Sequence, residues 1–247
     1  MHRADTPLML WSDLRGAFGL LTRLPLGGPG QGAAGGWAWP VAGAVVGALA
    51  ALAGWAAFAA GLPVGWAAAL CLAVQAMATG GLHEDGLADS FDGLTGGRDP
   101  AHRLEIMRDS RIGSFGALAL MLVTLARWSA LVVLVPVAPV AVVAVAALSR
   151  AGMPALMAAL PAAREGGLSR AMGRPTPLQA ALAVAVGVAL AAPVGWPALG
   201  LVPMLGAVWL ALGLWARARI GGQSGDILGA GQQLTEAVAL GFLAAGA

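Results

Sequence analysis

The chain has 247 residues, of which 59% are hydrophobic and only 11% are charged, and its formal net charge is +2. Soluble domains carry about 25% charged residues, so this composition excludes a soluble protein and predicts an all-α, polytopic helix bundle in a lipid bilayer. No basic face is large enough to follow a phosphate backbone, which excludes a nucleic-acid partner. The single cysteine, Cys71, excludes a disulfide framework and a cysteine metal site.

The predicted elements follow one another in a single domain over residues 1–247. Residues 1–36 form an N-terminal amphipathic segment and linker, because charges interrupt the apolar residues of 7–24 and glycines crowd 27–36. About 20 helical residues cross a hydrocarbon core of ~30 Å, and seven apolar runs have roughly that length. They are 39–60, 64–79, 115–135, 140–160, 178–192, 198–215 and 227–245.

The arginines indicate on which side of the membrane each polar loop lies. All but Arg127 occur before the first span, in the stretch 80–113, at or in the third polar region from Arg150 to Arg174, and before the motif 221–233. The three alternate turns contain no arginine. Cytoplasmic loops are enriched in Lys and Arg, so we expect these polar loops to face the cytoplasm from a cell inner membrane.

Seven of the 12 acidic residues fall within 80–113, which we call the acidic loop. They are Glu84, Asp85, Asp89, Asp92, Asp99, Glu105 and Asp109. Asp85, Asp89 and Asp92 stand at i, i+4 and i+7, within a stripe of roughly 60° on one helix face. Such carboxylates repel each other unless a cation binds between them, and oxygen ligands suit Mg²⁺. The alternative is a solvated acidic loop at the membrane surface.

Two arginines of the acidic loop, Arg108 and Arg111, could clamp phosphate oxygens by bidentate hydrogen bonds. Together with a Mg²⁺-bridged diphosphate and a carboxylate that accepts a proton from a hydroxyl, they suit phosphoryl transfer. The alternative is that they anchor the loop to lipid headgroups. Two further charges fall inside predicted spans, Arg127 and Glu236. They either pair within the bundle, which we favour, or line the site.

Four runs of residues resemble the signatures of cobalamin (5′-phosphate) synthase, the adenosylcobinamide-GDP ribazoletransferase family. The runs are LTRLP at 21–25, GGLHEDGLAD followed by FDG within 80–93, EIMRDSRIG at 105–113, and GGQSGD at 221–226. They occur in the family's order along a chain of the family's length. Four ordered runs are far more specific than a single carboxylate motif.

The resemblance implies a Mg²⁺-dependent transferase that acts late in vitamin B12 synthesis. Such an enzyme joins adenosylcobinamide-GDP to α-ribazole, or to its 5′-phosphate, and releases GMP. Neighbouring enzymes of the corrinoid pathway are further candidate partners. The resemblance also implies that the polar loop carrying Arg164 lies over the site.

The site residues that we expect fall into three groups. The expected metal ligands are Glu84, Asp85, Asp89 and Asp92. The expected catalytic residues are Asp85, Asp89, Asp109, Asp226 and His83, where Asp109 and Asp226 are candidates for a second metal or a general base. The expected substrate contacts are Arg108, Arg111, Gln223 and Ser224. Two alternatives stay open, since Asp226 could be only a helix N-cap and His83 only a support for the metal site.

Two other classes of protein share some of these features. A CDP-alcohol phosphotransferase also uses spaced aspartates at a membrane face, but its motif requires Ala-Arg where this chain has Asp89 and Ser90. A cation transporter needs polar residues through the bilayer midplane. The predicted spans offer little beyond Gln75, Arg127 and Glu236.

Overall fold

The computed structural model of the chain describes residues 9–247, and the part of the predicted N-terminal segment before Met9 lies outside this range. The described residues form eleven α-helices, two 3₁₀-helices and one isolated β-bridge, without a strand, as predicted for an all-α bundle. The helices are α1 (Leu10–Leu21), α2 (Trp39–Ala59), α3 (Val64–Thr79), α4 (Leu82–Gly96), α5 (Pro100–Ile106), α6 (Ser114–Val137), α7 (Val140–Ala159), α8 (Leu168–Ala171), α9 (Pro177–Ala191), α10 (Pro197–Ile220) and α11 (Gly225–Ala244).

Five helical segments of the described chain are long and apolar enough to cross a membrane. They are Gly32–Ala59, Ser114–Val137, Val140–Ala159, Pro177–Val194 and Pro197–Ile220. A sixth is added if the bent pair of α3 and α4 counts as one span. The predicted number of seven is therefore too high. The first span also begins earlier than predicted, because a 3₁₀-helix (Gly32–Ala38) occupies part of the expected linker and runs directly into α2.

The helix predicted to be the last span, α11, lies in the middle of the bundle and packs against α4, α6, α7 and α10. Its second and third turns carry Gln232, Gln233, Thr235 and Glu236, all of them buried. These polar side chains lower the hydropathy of α11 below that of a lipid-facing span. Because protein surrounds them, their polar atoms find hydrogen-bond partners within the bundle.

A buried polar network joins α3, α6 and α11 at the centre of the bundle, and side chains of α4 and α7 also take part in it. The guanidinium of Arg127 on α6 pairs with Glu236 on α11 at 2.9 Å and donates hydrogen bonds to Gln75 and Gln233. Gln232 donates to the second carboxylate oxygen of Glu236. The predicted pairing of Arg127 with Glu236 is confirmed.

The helices α2 and α7 pack closely because α2 presents glycine to its neighbour. A Cβ added at Gly47 would stand 2.8 Å from the carbonyl oxygen of Val142, and one at Gly43 would collide with the carbonyl oxygen of Ala146. Small residues of this kind let helix backbones approach one another in a membrane protein. The contact fixes the wall of the bundle from which Met153 and Met157 of α7 face the functional site.

A sharp turn directs the acidic loop away from the preceding helix. Gly80 and Gly81 both adopt left-handed backbone conformations, at φ +68° and +70°, which residues other than glycine rarely adopt. Consequently α4 leaves α3 at an angle of 88° and lies across the end of the bundle. The backbone N–H of Arg23, from the run LTRLP, donates to Ala78 at 2.7 Å and holds this turn against α1.

Candidate functional site

The site is assembled where α4 crosses the beginning of α11. A Cβ added at Gly86 would lie 2.9 Å from the carbonyl oxygen of Asp226, and one at Gly229 would lie 3.3 Å from the Cα of His83. The two glycines therefore let the helices touch. The contact brings the acidic loop and the GGQSGD run, which are more than 100 residues apart in sequence, to one place.

Three carboxylates share this crossing: Asp85 and Asp89 from α4, and Asp226 from the first turn of α11. Asp85 is exposed, whereas Asp89 and Asp226 are half-buried. Partial burial, reinforced by the negative charges of Asp85 and Asp226, raises the pKa of Asp89 to about 7. A carboxyl group with a pKa near neutrality can lose and regain a proton under physiological conditions.

Arg164 introduces a positive charge from the polar loop between α7 and α8. Its guanidinium lies 3.1 Å from Asp226 and also donates to the carbonyl of Leu104 at 3.3 Å. The loop is attached to the GGQSGD run by two backbone hydrogen bonds, Ala163 N–H to Gln223 at 2.8 Å and Gln223 N–H to Pro161 at 2.9 Å. The expectation that this loop lies over the site agrees with this geometry.

The donor set is compatible with a Mg²⁺ ion that the protein holds only in part. Among residues 9–247, no three His, Cys, Asp or Glu side chains stand close enough together to hold a metal by themselves. The mutual repulsion of Asp85, Asp89 and Asp226 nevertheless marks a place that a cation would stabilise. Mg²⁺ commonly takes one or two carboxylates and completes its coordination with water and substrate phosphate, so the residues present fit that kind of site.

Asp92, although on the predicted stripe of α4, makes a different contact. Its two carboxylate oxygens accept hydrogen bonds from the backbone N–H groups of Gly113 at 2.7 Å and Gly116 at 2.8 Å. These N–H groups belong to the start of α6, where a helix leaves its donors unpaired and favours negative charge. Asp92 thus caps α6 and joins it to α4, while its role as a metal ligand stays a prediction.

The cap gives a testable expectation for Asp92→Asn. The amide presents a donor where a carboxylate oxygen accepted, so we expect the free energy of unfolding to fall by about 0.5–2 kcal/mol. The measurement is an SDS titration in mixed micelles followed by tryptophan fluorescence. A Mg²⁺-induced rise in Tm should persist in the variant. If stability were unchanged and the Mg²⁺ effect lost, Asp92 would be a ligand instead of a cap.

Glu84 turns away from the other acidic residues and into the buried polar network. Its carboxylate accepts a hydrogen bond from Gln233 at 3.0 Å and stands 3.5 Å from Arg127. Adjacent residues on a helix point about 100° apart, so Glu84 faces the core while Asp85 faces solvent. Glu84 therefore anchors α4 to the bundle, and its predicted role as a metal ligand is not tested by these contacts.

The predicted residues of the GGQSGD run make contacts that shape the site. Gln223 is buried and accepts a hydrogen bond from the Ser169 hydroxyl at 2.6 Å. The hydroxyl of Ser224 accepts from the Ile227 N–H as the N-cap of α11 and donates to Asp226 at 3.2 Å. Ser224 is therefore the N-cap of α11, which is the role considered as an alternative for Asp226. The Asp226 carboxylate instead pairs with Arg164.

The EIMRDSRIG run lies apart from the three carboxylates and at the surface. Asp109 and Arg111 form an exposed ion pair at 2.6 Å, and this hydrogen bond lowers the pKa of Asp109. Arg108 is exposed as well. The predicted roles of these side chains in substrate binding and catalysis stay predictions.

Sequence reasoning placed the polar loop over the site but missed Arg164 as a site residue. The available signal was weak, namely an arginine next to Glu165 and two glycines in a loop that could have been only a connection. The sequence also does not show that Asp226 lies beside Asp85 and Asp89, because that position depends on how α4 and α11 cross.

The fold and the site together define a membrane-embedded protein with a carboxylate cluster and an arginine at one end of its bundle, an arrangement suited to a phosphate-bearing substrate. The chain belongs to the CobS, cobalamin-5-phosphate synthase, family, whose sequence pattern matches residues 13–244. No solved structure matches the fold.

Curated relatives in three bacteria carry the name adenosylcobinamide-GDP ribazoletransferase. The Bradyrhizobium diazoefficiens protein is 45% identical over 93% of this chain and 92% of its own length. The Mesorhizobium japonicum protein is 42% identical over 95% and 93%, and the Rhizobium meliloti protein is 39% identical over 95% and 97%.

Proposed function

We propose that this chain is an adenosylcobinamide-GDP ribazoletransferase of the bacterial inner membrane. It would join adenosylcobinamide-GDP to α-ribazole, or to α-ribazole 5′-phosphate, and release GMP. The observation that carries the proposal is the meeting of Asp85, Asp89, Asp226 and Arg164 at one end of the bundle, in a chain that matches relatives of that name over more than 90% of its length.

The reaction exchanges one phosphorus–oxygen bond for another. A ribose hydroxyl of the ribazole attacks the phosphorus attached to cobinamide, and the bond from that phosphorus to the GMP oxygen breaks. The hydroxyl proton goes to a carboxylate, for which Asp89 is the best candidate because its pKa lies near 7. Arg164, paired with Asp226, is placed to shift its guanidinium toward the charged phosphate oxygens.

We assign Mg²⁺ to Asp85, Asp89 and Asp226, of which one or two would bind it directly. A bound Mg²⁺ supplies neutralisation of charge on the diphosphate. The chain's own residues hold the two acidic segments in place. Ser224 holds the start of α11, and the contact of Glu84 with Gln233 holds α4, so that the two acidic segments keep their relative position.

The arginine distribution supports an orientation in which the site faces the cytoplasm. The polar loops that build the site are the arginine-containing ones, and the opposite turns have none. This side also offers water-soluble substrates access without crossing the bilayer.

The test is turnover by the purified full-length protein in liposomes. Adenosylcobinamide-GDP and α-ribazole are supplied with Mg²⁺ or with EDTA, and adenosylcobalamin and GMP are followed by chromatography. We expect equal amounts of both products with Mg²⁺, and neither product with EDTA. Parallel reactions with α-ribazole 5′-phosphate show which acceptor is preferred.

Two control reactions separate this activity from the other classes of protein. CDP-alcohol and a lipid acceptor replace the corrinoid substrates in one, and ion flux into protein-containing liposomes is recorded in the other. Folded protein that forms no cobalamin, but uses CDP-alcohol or conducts ions, would overturn the proposal.

A further inference from the structure

A cavity of about 180 Å³ adjoins the carboxylate cluster and has lining of two kinds. Asp85 and Asp226 contribute acidic groups, whereas Trp39, Met153 and Met157 contribute buried apolar and aromatic surface. The apolar part is built by the start of α2 and one face of α7, which are elements of the bundle and not of the acidic loop. A cavity of mixed lining selects a ligand that is apolar at one end and polar at the other.

The size of the cavity restricts what can enter it. Sites that bury a whole drug-sized ligand have volumes of about 300–1,000 Å³, whereas a cavity of about 150 Å³ already admits benzene. This cavity therefore has room for one aromatic ring system and not for a corrinoid macrocycle.

The buried polar atoms around the cavity are nearly all occupied. Ser169 donates to Gln223, and the Arg164 guanidinium is paired with Asp226 although its Nε has no partner. His83 is different, because it is 2% exposed and its Nε2 has no hydrogen-bond partner among residues 9–247. A buried imidazole nitrogen without a partner costs free energy unless a ligand satisfies it.

We propose that this cavity receives the benzimidazole base of the ribazole substrate, with a ring N–H of His83, which lines the cavity, donating to the unsubstituted ring nitrogen. This inference rests on the function proposed above. The base is a methylated bicyclic aromatic ring with one hydrogen-bonding atom, and the cavity offers apolar walls and the imidazole of His83. Trp39 and the methionine sulfurs supply the polarisable surface that aromatic rings favour.

The guanine of adenosylcobinamide-GDP fits the same cavity poorly. Guanine carries several donors and acceptors, and those that face Trp39, Met153 and Met157 would be left unpaired. With the base in the apolar part, the ribose of the ribazole lies beside Asp85 and Asp226. Its hydroxyl then lies at the crossing of α4 and α11 that also carries Asp89, the proton acceptor proposed above.

The test compares two acceptors that differ in one atom. The first is α-ribazole, and the second is the matching indole riboside, in which C–H replaces the unsubstituted ring nitrogen. We expect wild-type protein in liposomes to show a KM about tenfold higher for the indole analogue. His83→Phe should use both acceptors with equal KM, while the KM for adenosylcobinamide-GDP stays unchanged.

Two further variants separate hydrogen bonding from folding. His83→Gln keeps a side-chain N–H donor, and we expect it to restore part of the preference for α-ribazole. Met157→Trp fills the cavity without touching His83, and it should raise the KM for α-ribazole while sparing that for adenosylcobinamide-GDP. Circular dichroism and quenching of tryptophan fluorescence by α-ribazole alone report folding and binding without turnover.

The outcomes distinguish this inference from the function on which it rests. If the wild-type protein forms cobalamin and His83→Phe keeps the wild-type preference for α-ribazole over the indole riboside, the inference is overturned and the function stays intact. If these variants raise the KM for adenosylcobinamide-GDP alone, the cavity binds guanine, and the inference is overturned as well. Absence of cobalamin formation by folded wild-type protein would instead overturn the proposed function.

Discussion

We expect Arg127→Met to lower the free energy of unfolding by about 3–5 kcal/mol, the range for removing one partner of a buried ion pair. Arg127 is 3% exposed and Glu236 is 1% exposed, so the variant leaves a carboxylate in the centre of the bundle without its counter-charge. Gln75 and Gln233 also lose their hydrogen bonds to the guanidinium. Few other single substitutions in this chain would leave a charge so deeply buried.

The measurement is an SDS titration in mixed micelles, followed by the fluorescence of the nine tryptophans. The double variant Arg127→Met with Glu236→Met should recover part of the loss, because the buried Glu236 carboxylate is gone while Glu84 still lacks the Arg127 guanidinium. The exposed Arg98 provides the matched control. Arg98→Met should change the free energy of unfolding by no more than about 0.5 kcal/mol. Unfolding of Arg127→Met at the wild-type SDS fraction would show that the pair contributes nothing.

The network also explains why one part of the fold was not predictable from hydropathy. The apolar residues of 227–245 predict a last membrane span. The middle of α11 carries Gln232, Gln233 and Glu236, which are stable only because α6 and α7 supply partners such as Arg127 and Ser149. The pairing was predictable from two charges in apolar runs, but the central position of α11 required the packing of four other helices.

Local signals were read correctly where the chain itself encodes the structure. Asp99 accepts the His102 N–H at 2.9 Å as the N-cap of α5, with Pro100 at the first helical position, a start signal that the sequence carries by itself. Gly96 and Gly97 likewise mark the break before α5. By contrast, Asp92 lies on the predicted stripe of α4, but its hydrogen bonds to the start of α6 depend on tertiary packing. Periodicity shows which residues share a helix face, but it does not show which element packs against that face.

The polar network and the site meet at two consecutive residues of α4. Glu84 is held by Gln233 and lies near Arg127, while Asp85 lines the cavity. Any displacement of the network is thus transmitted to Asp85 through a single helical backbone. A buried polar core in a membrane protein usually serves a binding or transport path; here its contacts indicate that it fixes the helix carrying the carboxylates.

Replacing the Asp89 carboxyl should have the largest effect on turnover. We expect Asp89→Asn to reduce kcat/KM by about 10²–10⁴-fold, the range attributed to a general acid or base. Both of its proposed roles, proton acceptor and Mg²⁺ ligand, require a carboxylate, which the amide cannot provide. The exposed Glu105 of the same acidic loop provides the control. Glu105→Gln should stay within about twofold of wild type, and an equal loss in both variants would point to misfolding.

The pH dependence follows from the direction of the Asp89 pKa. Its value in the fold, about 7, exceeds the ordinary 3.8 because burial and then Asp85 and Asp226 disfavour the charged form. Protonation therefore stabilises the fold, and this contribution is lost as pH rises from 3.8 to about 7. Activity has the opposite pH dependence, because a proton acceptor must be deprotonated. In wild type, kcat/KM should therefore rise with pH through about 7, and Asp89→Asn should lose this rise.

Mg²⁺ concentration separates the two roles of Asp89. If Mg²⁺ competes with the proton for this carboxylate, the acidic limb of the pH–rate profile should move to lower pH as Mg²⁺ increases. The shift approaches one pH unit for each tenfold increase, since one proton is displaced for each ion bound. A limb that stays near pH 7 at every Mg²⁺ concentration would assign Asp89 to proton transfer alone and leave Asp85 and Asp226 to the metal.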